Sequence, residues 1–296
     1  MDEMTDSEWL ANRFEEQRPR LRGVAYRMLG SLTDADDAVQ DAWLRLNTSD
    51  SEEIDNLGGW LTTVVARVCL NMLRSRAVRR ESPLDDALPD PIVVKVDALL
   101  PEEAAILADS VSLALLVVLG TLSPAERLSF VLHDMFDFPF NEIAPMIGST
   151  PAAARQLASR ARRRVQGADI APSEPDRARQ REVVDAFFQA ARRGDFDALV
   201  GILHPDAVLR SDFGGRRIDA ERVVRGAEAV AGQALRFAIP EAELVPVLVG
   251  GGAGIIVLVG GRPTAIMGFS VVDQRIVEID AFADPERVRR ISAAVL

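Results

Sequence analysis

Cysteine, lysine, histidine and tyrosine are nearly missing from this sequence: Cys69 and Lys95 are the only residues of their kinds, there is one tyrosine, and there are two histidines. A lone cysteine closes no internal disulfide, and Cys69 falls inside an apolar helical pattern where a buried thiol is expected. Two histidines and one cysteine form no cluster at metal-ligand spacing, so no metal and no other cofactor is expected. Long apolar runs are absent too. No stretch reaches the roughly eighteen uncharged apolar residues of a membrane span, and the opening MDEMTDSEW is acidic where a secretory leader would be basic. The sequence therefore predicts a cytoplasmic protein with no membrane partner.

What is present is apolar and arginine-rich. Hydrophobic residues make up 48% of the 296 residues and charged residues 27%, which allows several small helical cores rather than one large one. The net charge of −11 would argue against nucleic acid if it were spread evenly. It is not. Trp60 to Arg80 carries Arg67, Arg74, Arg76, Arg79 and Arg80 with no acid among them, and Pro151 to Val165 carries Arg155, Arg160, Arg162, Arg163 and Arg164, again with no acid. Two basic stripes in an acidic chain are the footprint of phosphate binding that a whole-chain charge conceals.

Periodicity divides the chain. Leu10, Phe14, Leu21, Val24, Ala25, Met28 and Leu29 predict a helix over 8–30 that stops at Gly30. A second helix is predicted from an N-cap at Thr33 to Leu46, and a third over 59–79. Residues 81–101, rich in Asp and Pro, read as a linker. Helices are expected again at 102–120, 124–135, 140–147 and 151–165, then a second linker. After residue 180 the texture changes to one helix over 181–193, followed by Val- and Ile-rich strands at 244–249, 254–259, 265–272 and 276–282. That predicts an α+β domain with a curved antiparallel sheet. Gly250 to Gly254 reads as a hairpin turn, not a phosphate loop, because no lysine and no helix follow it.

Phe140 to Val165 has helix-turn-helix grammar. Ile143, Ala144 and Ile147 form an apolar face, Gly148 permits the turn, Ser149 or Thr150 caps the next helix, and Pro151 takes the first helical position. On that helix Ala154, Leu157, Ala158, Ala161 and Val165 share one face and leave Arg155, Gln156, Ser159, Arg160 and Arg163 on the other. Arginine pairs with guanine and glutamine with adenine through two hydrogen bonds each, so Arg155, Gln156 and Ser159 are the candidates for base edges, with the later arginines on phosphates.

These segments resemble the extracytoplasmic-function sigma factors. Ser123 to Val165 resembles region 4, and Asp34 to Leu46 with Gly59 to Arg80 resembles region 2. The resemblance implies a multidomain chain: two all-α sigma modules, then an α+β SnoaL-like (nuclear-transport-factor-like) cone domain. The expected divisions are region 2 at 1–80, a linker at 81–101, region 4 at 102–167, a second linker at 168–180 and the SnoaL-like domain at 181–296. It further implies core RNA polymerase and promoter DNA as partners. Asp37, Gln40, Asp41, Trp43 and Leu44 would meet the polymerase; Arg67, Asn71, Arg74 and Arg76 would open and read the −10 element; the helix-turn-helix would bind the −35 element as duplex.

Residues 181–290 resemble the SnoaL-like domain that certain of these sigma factors carry as a built-in regulator. Two motifs of that subgroup have counterparts here, Ala87 to Pro91 (ALPDP) and Asp212 to Arg216 (DFGGR), although the tryptophan usual in the first is absent. The resemblance assigns Leu88, Pro89 and Pro91, with Asp212, Gly214, Gly215 and Arg216, to a regulatory contact, and it admits a small-molecule ligand in the C-terminal domain. The alternative is a one-component helix-turn-helix regulator with a ligand-sensing C-terminal domain. A cyclase-like enzyme is not expected, because His204, Asp206, Asp212 and Asp280 form no recognisable pair by spacing.

Overall fold

The computed structural model describes residues 6–49, 54, 56–79, 88–95, 112–168, 176–214 and 223–296. They fall into two units, Met1–Asp85 with Ala114–Ile170, and Asp86–Leu113 with Ala171–Leu296.

The first unit is helical because its apolar residues recur at helical spacing. Helix α1 (Asp6–Leu29) buries Phe14, Leu21, Ala25 and Met28 along one stripe, and Gly30 follows it. Helix α2 (Leu32–Leu46) buries Ala35, Ala38, Val39, Ala42 and Leu46. Its cap is Ser31, not Thr33: Ser31 is extended and its hydroxyl accepts from the Asp34 amide at 3.3 Å, so the helix begins two residues earlier than Thr33 would allow. Helix α3 (Leu57–Arg79) buries Leu61, Val65, Cys69 and Leu70. Burial pushes the Cys69 thiol up to about 12, which leaves it protonated and unreactive.

Helix α4 (Leu113–Gly120) precedes α5 (Pro124–Phe130), which opens on a capping box of Ser123 and Glu126. Burial raises the Glu126 carboxyl, but hydrogen bonds from Ser123, with Arg164 and Arg160 nearby, outweigh it and the net direction is down. Helix α5 runs into a π-turn, Val131–Met135, before α6 (Phe140–Ile147) and α7 (Pro151–Gly167). The two sets of helices pack on each other inside this unit. There the buried Arg127 donates its Nε hydrogen to the Arg27 carbonyl at 3.0 Å.

The second unit is a seven-stranded sheet under helices, in the order β1-β4-β5-β6-β7-β2-β3. Its strands are β1 (Val93–Lys95), β2 (Leu203–Asp212), β3 (Val223–Arg225), β4 (Glu243–Val249), β5 (Gly252–Val259), β6 (Arg262–Val272) and β7 (Arg275–Phe282). Helices α8 (Arg177–Arg193), α9 (Phe196–Ile202) and α10 (Ala227–Arg236) bury Phe187, Leu199 and Val230 in one core with Ile255, Phe269 and Ile279 of the sheet. Phe187, Phe188 and Phe269 meet edge to face at 5.6–5.8 Å. Helix α11 (Pro285–Ser292) closes the unit and buries Val288 and Ile291. This is the α+β architecture expected of the C-terminal domain.

The sheet departs from the sequence reading in its pairing directions and in its additional strands. The sheet is mixed, because β2 pairs with β7 in parallel while the other pairings are antiparallel. Alternating Val and Ile report a strand but not the direction of its neighbour, and the long excursion from β2 back to β7 permits a parallel pair. The stretch read as linker also contributes β1, which pairs with β4 (Val93↔Val249, Val94↔Leu248, Lys95↔Val247) and receives the Gly250 amide on the Ile92 carbonyl at 2.8 Å. Gly250 and Gly251 form the expected hairpin turn between β4 and β5, with φ of 57° and 84°. A two-residue turn with both φ positive suits glycine at each position.

Candidate nucleic-acid interface

The turn between α6 and α7 is built as its sequence dictates. Gly148 ends α6 in the left-handed region (φ 68°, ψ 41°), where a side chain would be strained. Thr150, not Ser149, caps α7, its hydroxyl accepting from the Ala153 amide at 3.2 Å, and Pro151 follows at the first position. Ala154, Ala158 and Ala161 are buried, so α7 approaches α5 and α6 closely. Arg155, Gln156, Ser159, Arg160 and Arg163 are all exposed on the opposite face.

The arginines of α7 differ in their company. Asp134 Oδ1 accepts the Arg162 Nε hydrogen at 2.7 Å, and Arg164 lies 3.4 Å from Glu126. Arg155 instead places its guanidinium 5.3 Å from the centroid of the Phe140 ring, and Arg163 donates to the Ser159 carbonyl of its own helix at 3.5 Å. The side chains predicted to meet DNA are thus those left with their charge outward.

On α3, Arg67, Asn71 and Arg74 are exposed at spacings of four and three, one face of the helix. Arg76 is drawn sideways to Asp34 of α2 at 2.5 Å. Between α2 and α3 lies a cleft of about 500 Å³, lined by Asp41, Arg45, Asn71, Ser75 and Arg76 among others. On α2, Asp37, Gln40 and Leu44 are exposed and Asp41 is half-exposed; positions 37, 40, 41 and 44 share a face. Leu44 is 56% exposed and closes no core. Trp43 is half-buried, its ring 4.9 Å from that of Phe14, so it serves packing as well.

In the second unit, Leu88, Asp90 and Pro91 are buried and Pro89 is half-buried. They meet the sheet through Arg287 of α11. Its guanidinium donates to Asp90 Oδ1 at 2.6 Å, to the Leu88 carbonyl and to Asp212 Oδ2, while Arg290 reaches Asp90 at 3.1 Å. Asp212 Oδ1 also accepts from the Gly214 amide at 2.9 Å. Leu88 and Asp212, both predicted, are joined by this node, whereas Ala87, Gly215 and Arg216 lie outside the described residues. Asp90, Arg287 and Arg290 were not singled out by sequence; Asp90 stands inside the quoted ALPDP run, but nothing local marks Arg287, 197 residues away.

Asp280, another acid considered for catalysis, has a structural partner. Arg210 bridges Glu278 at 2.9 Å and Asp280 at 3.3 Å; burial raises the Asp280 carboxyl to about 6 although Arg210 pulls it down. His204 Nδ1 accepts from the Asp206 amide at 3.2 Å, in the irregular first part of β2. Among the described residues, no group of three or more His, Cys, Asp or Glu could hold a metal, and no helix is long and apolar enough to cross a membrane.

Family models for Sigma-70 region 2 and Sigma-70 region 4 match residues 13–79 and 112–165. The chain is 44% identical over 218 residues to the ECF RNA polymerase sigma factor SigJ of Mycobacterium tuberculosis, covering 73% of this chain and 69% of that one. It is 36% identical over 280 residues to the probable ECF RNA polymerase sigma factor SigI of the same species, covering 93% of each. The crystal structure of Mycobacterium tuberculosis SigJ superposes with a TM-score of 0.73 at 36% identity, over 94% of this chain and 97% of that one.

Proposed function

Because the chain belongs to the extracytoplasmic-function RNA polymerase sigma factors, we propose a division of labour among its surfaces. The protein binds core RNA polymerase and directs promoter-specific initiation, and the match to region 2 disfavours a one-component regulator. In the proposed division, α7 enters the major groove of the −35 element, with Arg155, Gln156 and Ser159 toward base edges and Arg160 and Arg163 toward phosphates. Arg67, Asn71 and Arg74 line the path of the opened −10 strand, and the cleft beside Asn71 and Arg76 has room for an unstacked base. Arg76 would have to leave Asp34 to join them. Asp37, Gln40, Asp41 and Leu44 form the polymerase-docking face, with Trp43 bracing it from behind.

The C-terminal domain acts, in this reading, through the linker. Residues 88–95 are held to it by β1 and by Arg287, and the same residues join the two promoter-binding modules. Holding the linker restricts how far those modules can move apart. No catalysis is assigned to this domain: Asp212 and Asp280 are engaged by arginines and His204 by the Asp206 amide of its own strand. With promoter DNA and polymerase as partners, the cytoplasm is its place of action.

The observation that carries the proposal is the exposed row Arg155, Gln156, Ser159, Arg160 and Arg163 above a buried alanine row on a capped helix-turn-helix. Run-off transcription with purified core polymerase on a promoter library tests it, comparing the full chain with a truncation ending near Gly167. Promoter-specific transcripts are expected, and a difference between the two forms gives the sign of the C-terminal domain's effect. Silence from both, with no binding to core, would overturn the reading.

A further inference from the structure

Two backbone irregularities stand immediately before the helix-turn-helix. Helix α5 ends in the π-turn Val131–Met135, and Asp137 follows with φ 58°, a conformation that side chains seldom adopt. Such features persist where neighbours hold them, and they recur near functional surfaces. Here they have a definite product. The π-turn brings the His133 ring to 3.9 Å from that of Phe140, and His133 Nδ1 lies 2.9 Å from the Phe138 carbonyl, which fixes Nδ1 as the protonated nitrogen. Phe140 in turn carries Arg155 over its ring. The next residue of the turn, Asp134, holds Arg162, two helical turns further along α7.

We propose that Phe140, backed by His133, is a positioning residue for base recognition. It holds the Arg155 guanidinium in place before DNA arrives, while Asp134 withdraws Arg162 from the phosphates. The inference rests on the reading of Arg155 as a base-contacting residue. The geometry is compatible with that role, because a cation–π contact uses the face of the guanidinium and a guanine contact uses its N–H edge. An arginine already stacked has fewer conformations to lose on binding, so the stack favours the specific complex over looser ones.

The test measures binding of holoenzyme, full chain with core polymerase, to promoters carrying single base-pair changes across the −35 element. Arg155→Ala identifies the base pair at which preference relaxes. Phe140→Leu keeps an apolar side chain but loses the ring face, and should reduce preference at that same base pair by about two- to fivefold, the range of an exposed cation–π contact. His133→Ala should act at the same position with a smaller effect, and Phe140→Tyr should retain the parent preference. If Phe140→Leu keeps the preference that Arg155→Ala loses, or weakens all promoters alike, Phe140 is a packing residue and the inference is wrong. If Arg155→Ala changes preference at no position, the base-reading assignment of Arg155 falls first and this inference with it.

Discussion

Arg155 and Arg287 are the same side chain in opposite surroundings. Arg155 stands exposed on α7 with an aromatic ring beneath it, whereas Arg287 is bonded to two carboxylates, Asp90 and Asp212, whose side chains are only 5% and 3% exposed. An exposed arginine contributes little to its own fold and keeps its charge for a partner. Removing a buried arginine among carboxylates takes a cation from Asp212 and leaves Asp90 with a smaller set of partners, Arg290 among them, in a poorly solvated interior. Arg155 is therefore displayed and Arg287 is used internally. A net charge of −11 hides both facts.

The contrast is sharpest under mutation. Arg287→Ala should lower stability by about 3–5 kcal/mol, the cost of breaking a buried pair. The loss should appear in hydrogen exchange of β2 and β7, whereas tryptophan fluorescence should barely report it, because Trp9, Trp43 and Trp60 all lie in the helical unit. Early loss of the tryptophan signal would break the separation between the units.

Acid should affect the C-terminal unit in an unusual direction. Asp280 has its carboxyl raised from 3.8 to about 6, so the folded state holds that proton more tightly than the unfolded one. Its contribution to stability is fully present below the unfolded value and is lost as pH rises through about 6. Denaturant midpoints between pH 4 and 7 should show this slope, and Asp280→Asn should flatten it; an unchanged slope would assign it elsewhere.

On the displayed side the effects move from stability to binding. Arg155→Ala should cost about 1–3 kcal/mol of promoter discrimination with little change in unfolding. Arg163→Ala should weaken binding to all sequences and lower the salt slope by about one counterion, measured by titration at several salt concentrations. The smallest effect is expected for Arg22→Ala, which removes a 2.6 Å surface pair with Asp36 and should change stability by less than about 1 kcal/mol.

The parts of this molecule that could be read from sequence are those whose causes are local. Gly148, Thr150 and Pro151 specify their turn within four positions, and the alanine row of α7 repeats at the helical period, so both the element and its exposed face were legible. The π-turn was not, because it depends on which carbonyl an amide selects and no residue type announces that choice. Thr33 is a cap by residue type alone, and only the backbone shows that Ser31, two positions earlier, takes that place. Strand β1 was obscured by the acids and prolines around it. The Arg287 node joins residues from three distant stretches of chain, Leu88 and Asp90, Asp212, and α11, and only the folded sheet brings them together. The docking face of α2 fell between these extremes: its spacing was visible, but that Leu44 stays outside while Trp43 leans on Phe14 is a matter of packing.

Strand β1 also acts as a lid on a sheet. With residues 93–95 in place, the backbone of β4 is paired on both sides from Val247 to Val249. Remove those residues and β4 becomes the rim, seven residues long, with Glu243 as its single charge and Leu244, Val245, Val247, Leu248 and Val249 along it. Such a rim accepts any strand presented to it, including one from another copy. The three-residue strand thus covers an edge of the sheet that would otherwise be open to pairing.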